Sequence, residues 1–139
     1  KANATGAELE LYGSWSDGWS GSASYTYQDA EDDMGEWLVN SPRNMAKLNV
    51  IAPLLSKLSA GLEVQYQSER KTVASIEASS FVVTNLTLFN QDSIDGLQAS
   101  ISVYNLFDKT YSNPGSEEHT QEQIEQDGRS FWLKLDYIF

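Results

Sequence analysis

Arg129-Ser-Phe-Trp-Leu-Lys-Leu-Asp-Tyr-Ile-Phe139 is the stretch whose periodicity decides how the chain is read. With a period of two, Phe131, Leu133, Leu135, Tyr137 and Phe139 fall on one face, and Ser130, Trp132, Lys134, Asp136 and Ile138 on the other. Successive Cβ atoms of an extended chain point to opposite sides, so the pattern predicts a β-strand with one apolar face. It is long enough to cross a bilayer as a tilted strand, which takes about 9–11 residues. The sequence closes on Phe139 inside that apolar pattern, without a polar tail.

The same rhythm runs through the rest of the chain. Gly6 to Trp15 sets Ala7, Leu9, Leu11, Gly13 and Trp15 against Glu8, Glu10, Tyr12 and Ser14, and Ser16-Asp17-Gly18 supplies a hairpin turn. Trp19 to Gln28 sets Trp19, Gly21, Ala23, Tyr25 and Tyr27 against Ser and Thr. After an acidic stretch, Asp29 to Glu36, a third strand is predicted over Asn44 to Ala52, a fourth over Ser59 to Glu69 and a fifth over Phe81 to Phe89. A tight turn at Gln91 to Gly96 leads to a sixth strand, Leu97 to Asp108, and the stretch Lys109 to Gly128 is the longest loop before the terminal strand. Connections alternate between short and long, the habit of barrels with tight turns at one rim and extended loops at the other. Trp15, Trp19, Phe89, Tyr137 and Phe139 are expected to ring the short-turn rim, and Tyr25, Tyr27, Tyr66, Phe81, Phe107 and Phe131 the other. The opposite face reads as uniformly hydrophilic.

An antiparallel sandwich alternates in the same way, so alternation alone does not choose. The apolar face here carries Ala7, Gly13, Gly21, Ala23, Ala46, Ala52, Ala60 and Ala99. Residues that small fill a two-sheet core poorly, whereas a lipid-facing surface need not interlock. The fold expected is therefore all-β, an antiparallel up-and-down transmembrane β-barrel, with a soluble β-sandwich binding module as the alternative. Seven strands put the chain ends on opposite rims, and bacterial single-chain barrels have even strand numbers. Residues 1–139 are accordingly expected to be a C-terminal seven-strand piece of a larger barrel.

The 139 residues hold no cysteine, so thiol chemistry is excluded, and no apolar run reaches the length of a membrane helix. A net charge of −11 argues against nucleic acid as a partner. His119 stands alone among Glu117, Glu118, Glu122 and Glu125, without the several ligands at fixed spacing that a metal site gathers, and no cofactor is expected. Asp29, Glu31, Asp32, Asp33 and Glu36 lack calcium-loop spacing and read as a charged surface, with divalent cations bridging to lipopolysaccharide as a further reading. Glu8, Glu10 and Glu63 on strand faces do not define a hydrolytic pair. No Gly-x-Ser-x-Gly elbow is present. Asn3-Ala-Thr5 and Asn85-Leu-Thr87 are chance matches to a glycosylation signal. An enzyme, such as a barrel lipase or protease, would need a catalytic group this stretch lacks.

The terminal strand resembles that of Gram-negative outer-membrane barrels. There the resemblance makes Phe131, Leu133, Leu135, Tyr137 and Phe139 a signal for the barrel-assembly machinery. Asn105-Leu-Phe-Asp-Lys-Thr-Tyr111 within Gly96 to Tyr111, followed by Gly128-Arg-Ser-Phe, is similar to the end of a TonB-dependent receptor, and Gly6-Ala-Glu-Leu-Glu-Leu, Ala23 to Ala30 and Asn40-Ser-Pro42 are similar to that family's preceding strands. The resemblance implies a 22-stranded barrel in the outer membrane, holding a plug and importing a scarce nutrient such as a ferric siderophore, haem or cobalamin. It implies contact with outer-membrane lipid and lipopolysaccharide, with a small-molecule ligand at the external loops (about 30–41, 70–80 and 109–128), and with the TonB complex through a plug region that these residues do not contain.

Overall fold

A computed structural model describes residues 1–90, 96–116 and 118–138. Seven long strands form one sheet: β1 (Ala2–Ser14), β2 (Ser20–Asp32), β3 (Asn44–Leu55), β4 (Leu58–Gln67), β7 (Phe81–Asn90), β8 (Leu97–Tyr104) and β11 (Ser130–Tyr137). Each pairs antiparallel with the next in the order β1-β2-β3-β4-β7-β8-β11, so the sheet is an uninterrupted meander with β1 and β11 at its edges. Four short strands lie in the longer connections: β5 (Arg70–Lys71) with β6 (Glu77–Ala78), and β9 (Ser112–Pro114) with β10 (Gln123–Glu125).

The registers carry the sequence pattern across the sheet. Leu11 faces Ala23, Ala23 faces Leu48 and Leu48 faces Val64, while Leu88 faces Ile101 and Ile101 faces Leu133. These partners share one side because the alternation has a period of two. The resulting apolar face is bare: Leu11 is 60%, Leu133 64% and Leu135 59% exposed. A sandwich would cover this face with a second sheet. The two small sheets instead lie within the long connections, and the described residues form a partial barrel wall.

Turns follow local chemistry. Trp15 and Trp19 close the first hairpin through Trp15 N–H donating to the Trp19 carbonyl at 2.8 Å, and Gly18 takes the left-handed φ of 83° that this three-residue loop requires. Ser56-Lys57 turns β3 into β4 beside a register shift between Pro53 and Leu55, where the prolines and bulges of strands belong.

Four expectations need correcting. β2 runs on through Asp29-Ala-Glu-Asp32, because these residues find ladder partners in Thr5 to Ala2 of an equally extended β1. β4 ends at Gln67 and β8 at Tyr104, short of the predicted Glu69 and Asp108. The left-handed Asn105 (φ 50°) ends the alternation at β8, so Phe107 is a turn residue and not part of a strand face. The polar face is not uniformly hydrophilic: Phe81 and Phe89 share the parity of Asn85 and Thr87 and leave the aromatic rings proposed for the rims. The turn expected over residues 91–95 lies outside the described residues, as does Phe139.

Candidate functional site

The long connections gather at one rim and are tied to one another. Residues 33–43 reach 68–80 through Asn40 N–H donating to the Lys71 carbonyl at 2.9 Å and through the Lys71–Glu36 ion pair at 3.3 Å. Residues 68–80 reach 105–129 through Ala74 N–H donating to Glu122 Oε2 at 3.2 Å and Gln123 Nε2 donating to the Glu77 carbonyl at 3.3 Å. Arg70 binds both neighbours. Its guanidinium donates to Asn40 Oδ1 at 3.5 Å and to the Ser112 carbonyl at 3.0 Å, and lies 5.5 Å from the Phe81 ring centroid. Arg70 is 3% exposed and forms no ion pair among the described residues, so desolvation pulls its pKa down. This rim holds the packed interior of the chain: Ala78, Phe81, Ser68, Thr72 and Asn105 are all buried.

Below these connections the polar face forms a cavity of about 550 Å³. Phe81, Tyr104, Tyr111 and Trp132 supply its aromatic surface; Gln65, Gln67, Asn85 and Asn113 supply amides; among the described residues Asp127 is the one charged group that lines it. Phe81 at the start of β7 stacks on Tyr111 with centroids 4.4 Å apart, and Tyr104 meets Trp132 edge-to-face at 6.5 Å. Asn105 fixes the cavity floor. Its backbone N–H donates to Asn85 Oδ1 at 2.9 Å, and its Nδ2 donates to the carbonyls of Lys109 at 2.9 Å and Asp127 at 3.3 Å. Asp108, also left-handed, accepts from Arg129 N–H at 2.8 Å and joins the loop's exit to β11. The segment Asn105 to Tyr111 therefore turns β8 out of the sheet and delivers Tyr111 to the cavity. A concave surface with aromatic walls and a few converging polar groups is suited to holding a small organic molecule.

The residues singled out by sequence distribute as follows. Phe131, Leu133, Leu135 and Tyr137 lie on one exposed apolar face of β11. Trp15, Trp19 and Tyr137 stand exposed toward the short-turn rim, with Tyr25, Tyr27 and Phe131 further toward the other. Asp29 is paired with Arg43 at 3.0 Å, and Asp32 Oδ1 accepts from the N–H groups of Met34 at 2.8 Å and Glu36 at 2.9 Å. Those amide bonds hold the Asp32 carboxyl below its ordinary range. His119 is exposed, and its N–H donates to the Ser116 carbonyl; Glu117 lies outside the described residues. Glu63 accepts from Asn85 at 2.7 Å, and Glu8 and Glu10 stand away from the cavity. Asn3 and Asn85 are both ladder residues.

Sequence reading missed Arg70, Phe81, Asn105 and Trp132 as members of one neighbourhood. Parity placed Trp132 with Ser130 and Lys134 and could have placed Phe81 with Asn85 in the same way; the tying of the loops has no short-range signal.

An antiparallel meander with one bare apolar face, short turns at one rim and an ordered loop cluster at the other has the build of an outer-membrane barrel wall. A family model described as "TonB dependent receptor-like, beta-barrel" matches residues 1–106, and the chain belongs to that family. The ferric-pyoverdine BN7/BN8 receptor of Pseudomonas putida is 35% identical over 113 residues, covering 76% of this chain and 14% of that protein. The ferripyoverdine receptor of Pseudomonas aeruginosa superposes with a TM-score of 0.78 at 25% identity, over 98% of this chain and 19% of its own. The siderophore receptor PiuA of Acinetobacter baumannii gives 0.80 at 24%, over 98% and 22%, a likeness of fold. The chain thus spans about a fifth or less of these relatives. The family is one of outer-membrane proteins and not of enzymes.

Proposed function

We propose that this chain forms part of the wall of a receptor that takes up a ferric siderophore across the outer membrane, using energy delivered through TonB. The observation that carries the reading is the 550 Å³ cavity of aromatics and amides beneath three mutually tied loops, on the side of the wall that faces the lumen in this family. Its volume falls within the range of small-molecule sites. The 35% identity to a ferric-pyoverdine receptor favours a siderophore over haem or cobalamin.

The same reading assigns residues 1–139 to the C-terminal part of the barrel and leaves the plug and TonB contact to other parts of the receptor. It sets the apolar face against lipid and the loop rim against lipopolysaccharide. It also makes Phe131, Leu133, Leu135, Tyr137 and Phe139 the strand that the assembly machinery engages.

The test is growth. The full-length receptor, expressed in a Gram-negative strain stripped of its own siderophore receptors, is expected to restore growth under iron limitation on a ferric siderophore. That restoration should vanish when TonB is deleted. Growth restored by haem alone, or independent of TonB, would overturn the reading.

A further inference from the structure

We infer that the cavity beneath the loops recognises an organic cation, an ammonium or guanidinium group carried by the ligand, and that Asp127 determines this specificity. The inference rests on the uptake reading above and narrows its ligand class.

The chemistry of the lining points one way. Four aromatic residues, Phe81, Tyr104, Tyr111 and Trp132, line a cavity to which, among the described residues, Asp127 brings the one charge. Aromatic faces carry negative quadrupole potential and attract cations, most strongly when water is excluded. The amides that complete the lining can donate and accept, but bring no charge. A ligand whose recognised part were anionic would find neither Lys nor Arg in that lining.

The nearby cations are held elsewhere. Arg70 is buried between Asn40, Ser112 and Phe81 and does not line the cavity. Arg129, although beside the lining residues Gly128 and Ser130, lies 3.9 Å from Asp108. Lys134, one same-face step along β11 from Trp132, is paired with Asp136 at 2.9 Å. Among the described residues Asp127 has no such partner: its backbone carbonyl accepts from Asn105, while its carboxylate enters no ion pair or hydrogen bond. On the same polar face Glu63 accepts from the lining residue Asn85 at 2.7 Å, a second negative charge next to the lining.

Because the Asp127 carboxylate supports none of these contacts, its charge can be removed without disturbing the floor. The probe is butylguanidinium, with butylurea as its uncharged counterpart of similar shape, each titrated by saturation-transfer NMR against the detergent-solubilised full-length receptor. Wild type is expected to bind butylguanidinium about tenfold more tightly than butylurea, the scale of one charge-assisted contact. Asp127→Asn should erase that preference and leave butylurea within twofold of wild type; Asp127→Lys should abolish guanidinium binding while the urea still binds. Equal binding of the two probes to wild type, or an unchanged preference in Asp127→Asn, overturns the inference. A preserved cation preference in a receptor that fails the growth test would overturn the uptake reading and leave the cation site standing. Normal growth without any preference would do the reverse.

Discussion

The sheet and the loop rim are built by different rules. In the sheet, a residue's face follows from its parity: Leu48 lies on the apolar face and Asn49 beside it on the polar face, with no tertiary partner needed to decide either. At the rim, position in the chain says little. Arg70 sits 30 residues from Asn40 and 42 from Ser112, yet holds both, and Phe81 is 6% exposed because Tyr111 covers it. The wall leaves its apolar face bare and builds no core on it, whereas the loops bury Thr72, Ala78 and Phe81 in a core of their own.

The sharpest test of that division is Phe81→Ala. Removing a buried aromatic that Tyr111 and Arg70 both contact should cost about 3–5 kcal/mol at the rim. Hydrogen exchange of the full-length receptor in vesicles should then speed up across residues 68–80 and 105–128, while the amides of β2 and β3 stay protected. Uniform loosening of the whole wall would mean that rim and sheet are a single cooperative unit.

The converse test strikes the wall. Leu48→Arg places a charge on the apolar face between the Trp19 and Tyr25 levels and should cost about 2–4 kcal/mol in reversible urea unfolding from vesicles. Asn49→Arg, one residue along and on the polar face, should cost about 0.5 kcal/mol or less. Equal costs would refute the assignment of faces that all seven long strands share.

This division also explains what the sequence could disclose. The seven long strands, their order and their apolar face were legible because a period of two is a local signal repeated in every strand. Asn105-Leu-Phe-Asp-Lys-Thr-Tyr111 was legible as a motif, but its physical work was hidden. Asn105 and Asp108 adopt left-handed backbone, and the Asn105 side chain ties Lys109 and Asp127 into one floor. The β5–β6 and β9–β10 hairpins were invisible because strands of two or three residues have no measurable alternation. Their stability comes from contacts made 40 or more residues away, such as Ala74 with Glu122. The cavity inherits that opacity: three of its aromatic walls come from strands or their ends, but Tyr111 arrives by the folding of a loop.

The smallest expected effect lies where the two regimes meet, at the end of β2. Asp32 closes the Asp32–Glu36 turn by accepting from the amides of Met34 and Glu36, and those bonds depress its pKa below the ordinary 3.8. For a carboxylate with a lowered folded-state pKa, the stabilisation is complete above the unfolded value and is lost as pH falls through the folded one. Protection of the Met34 and Glu36 amides should therefore be flat from neutrality down to about pH 4 and fall only below it. Asp32→Asn keeps an acceptor oxygen but loses the charge, so it should lower that protection at neutral pH and remove its acid dependence. Strand amides of β2 from Ser20 to Tyr27 should not respond, since their partners are backbone groups of β1 and β3. A fall in protection already between pH 7 and 5 would show that another group holds the turn, and would draw the boundary between wall and rim further into the loops.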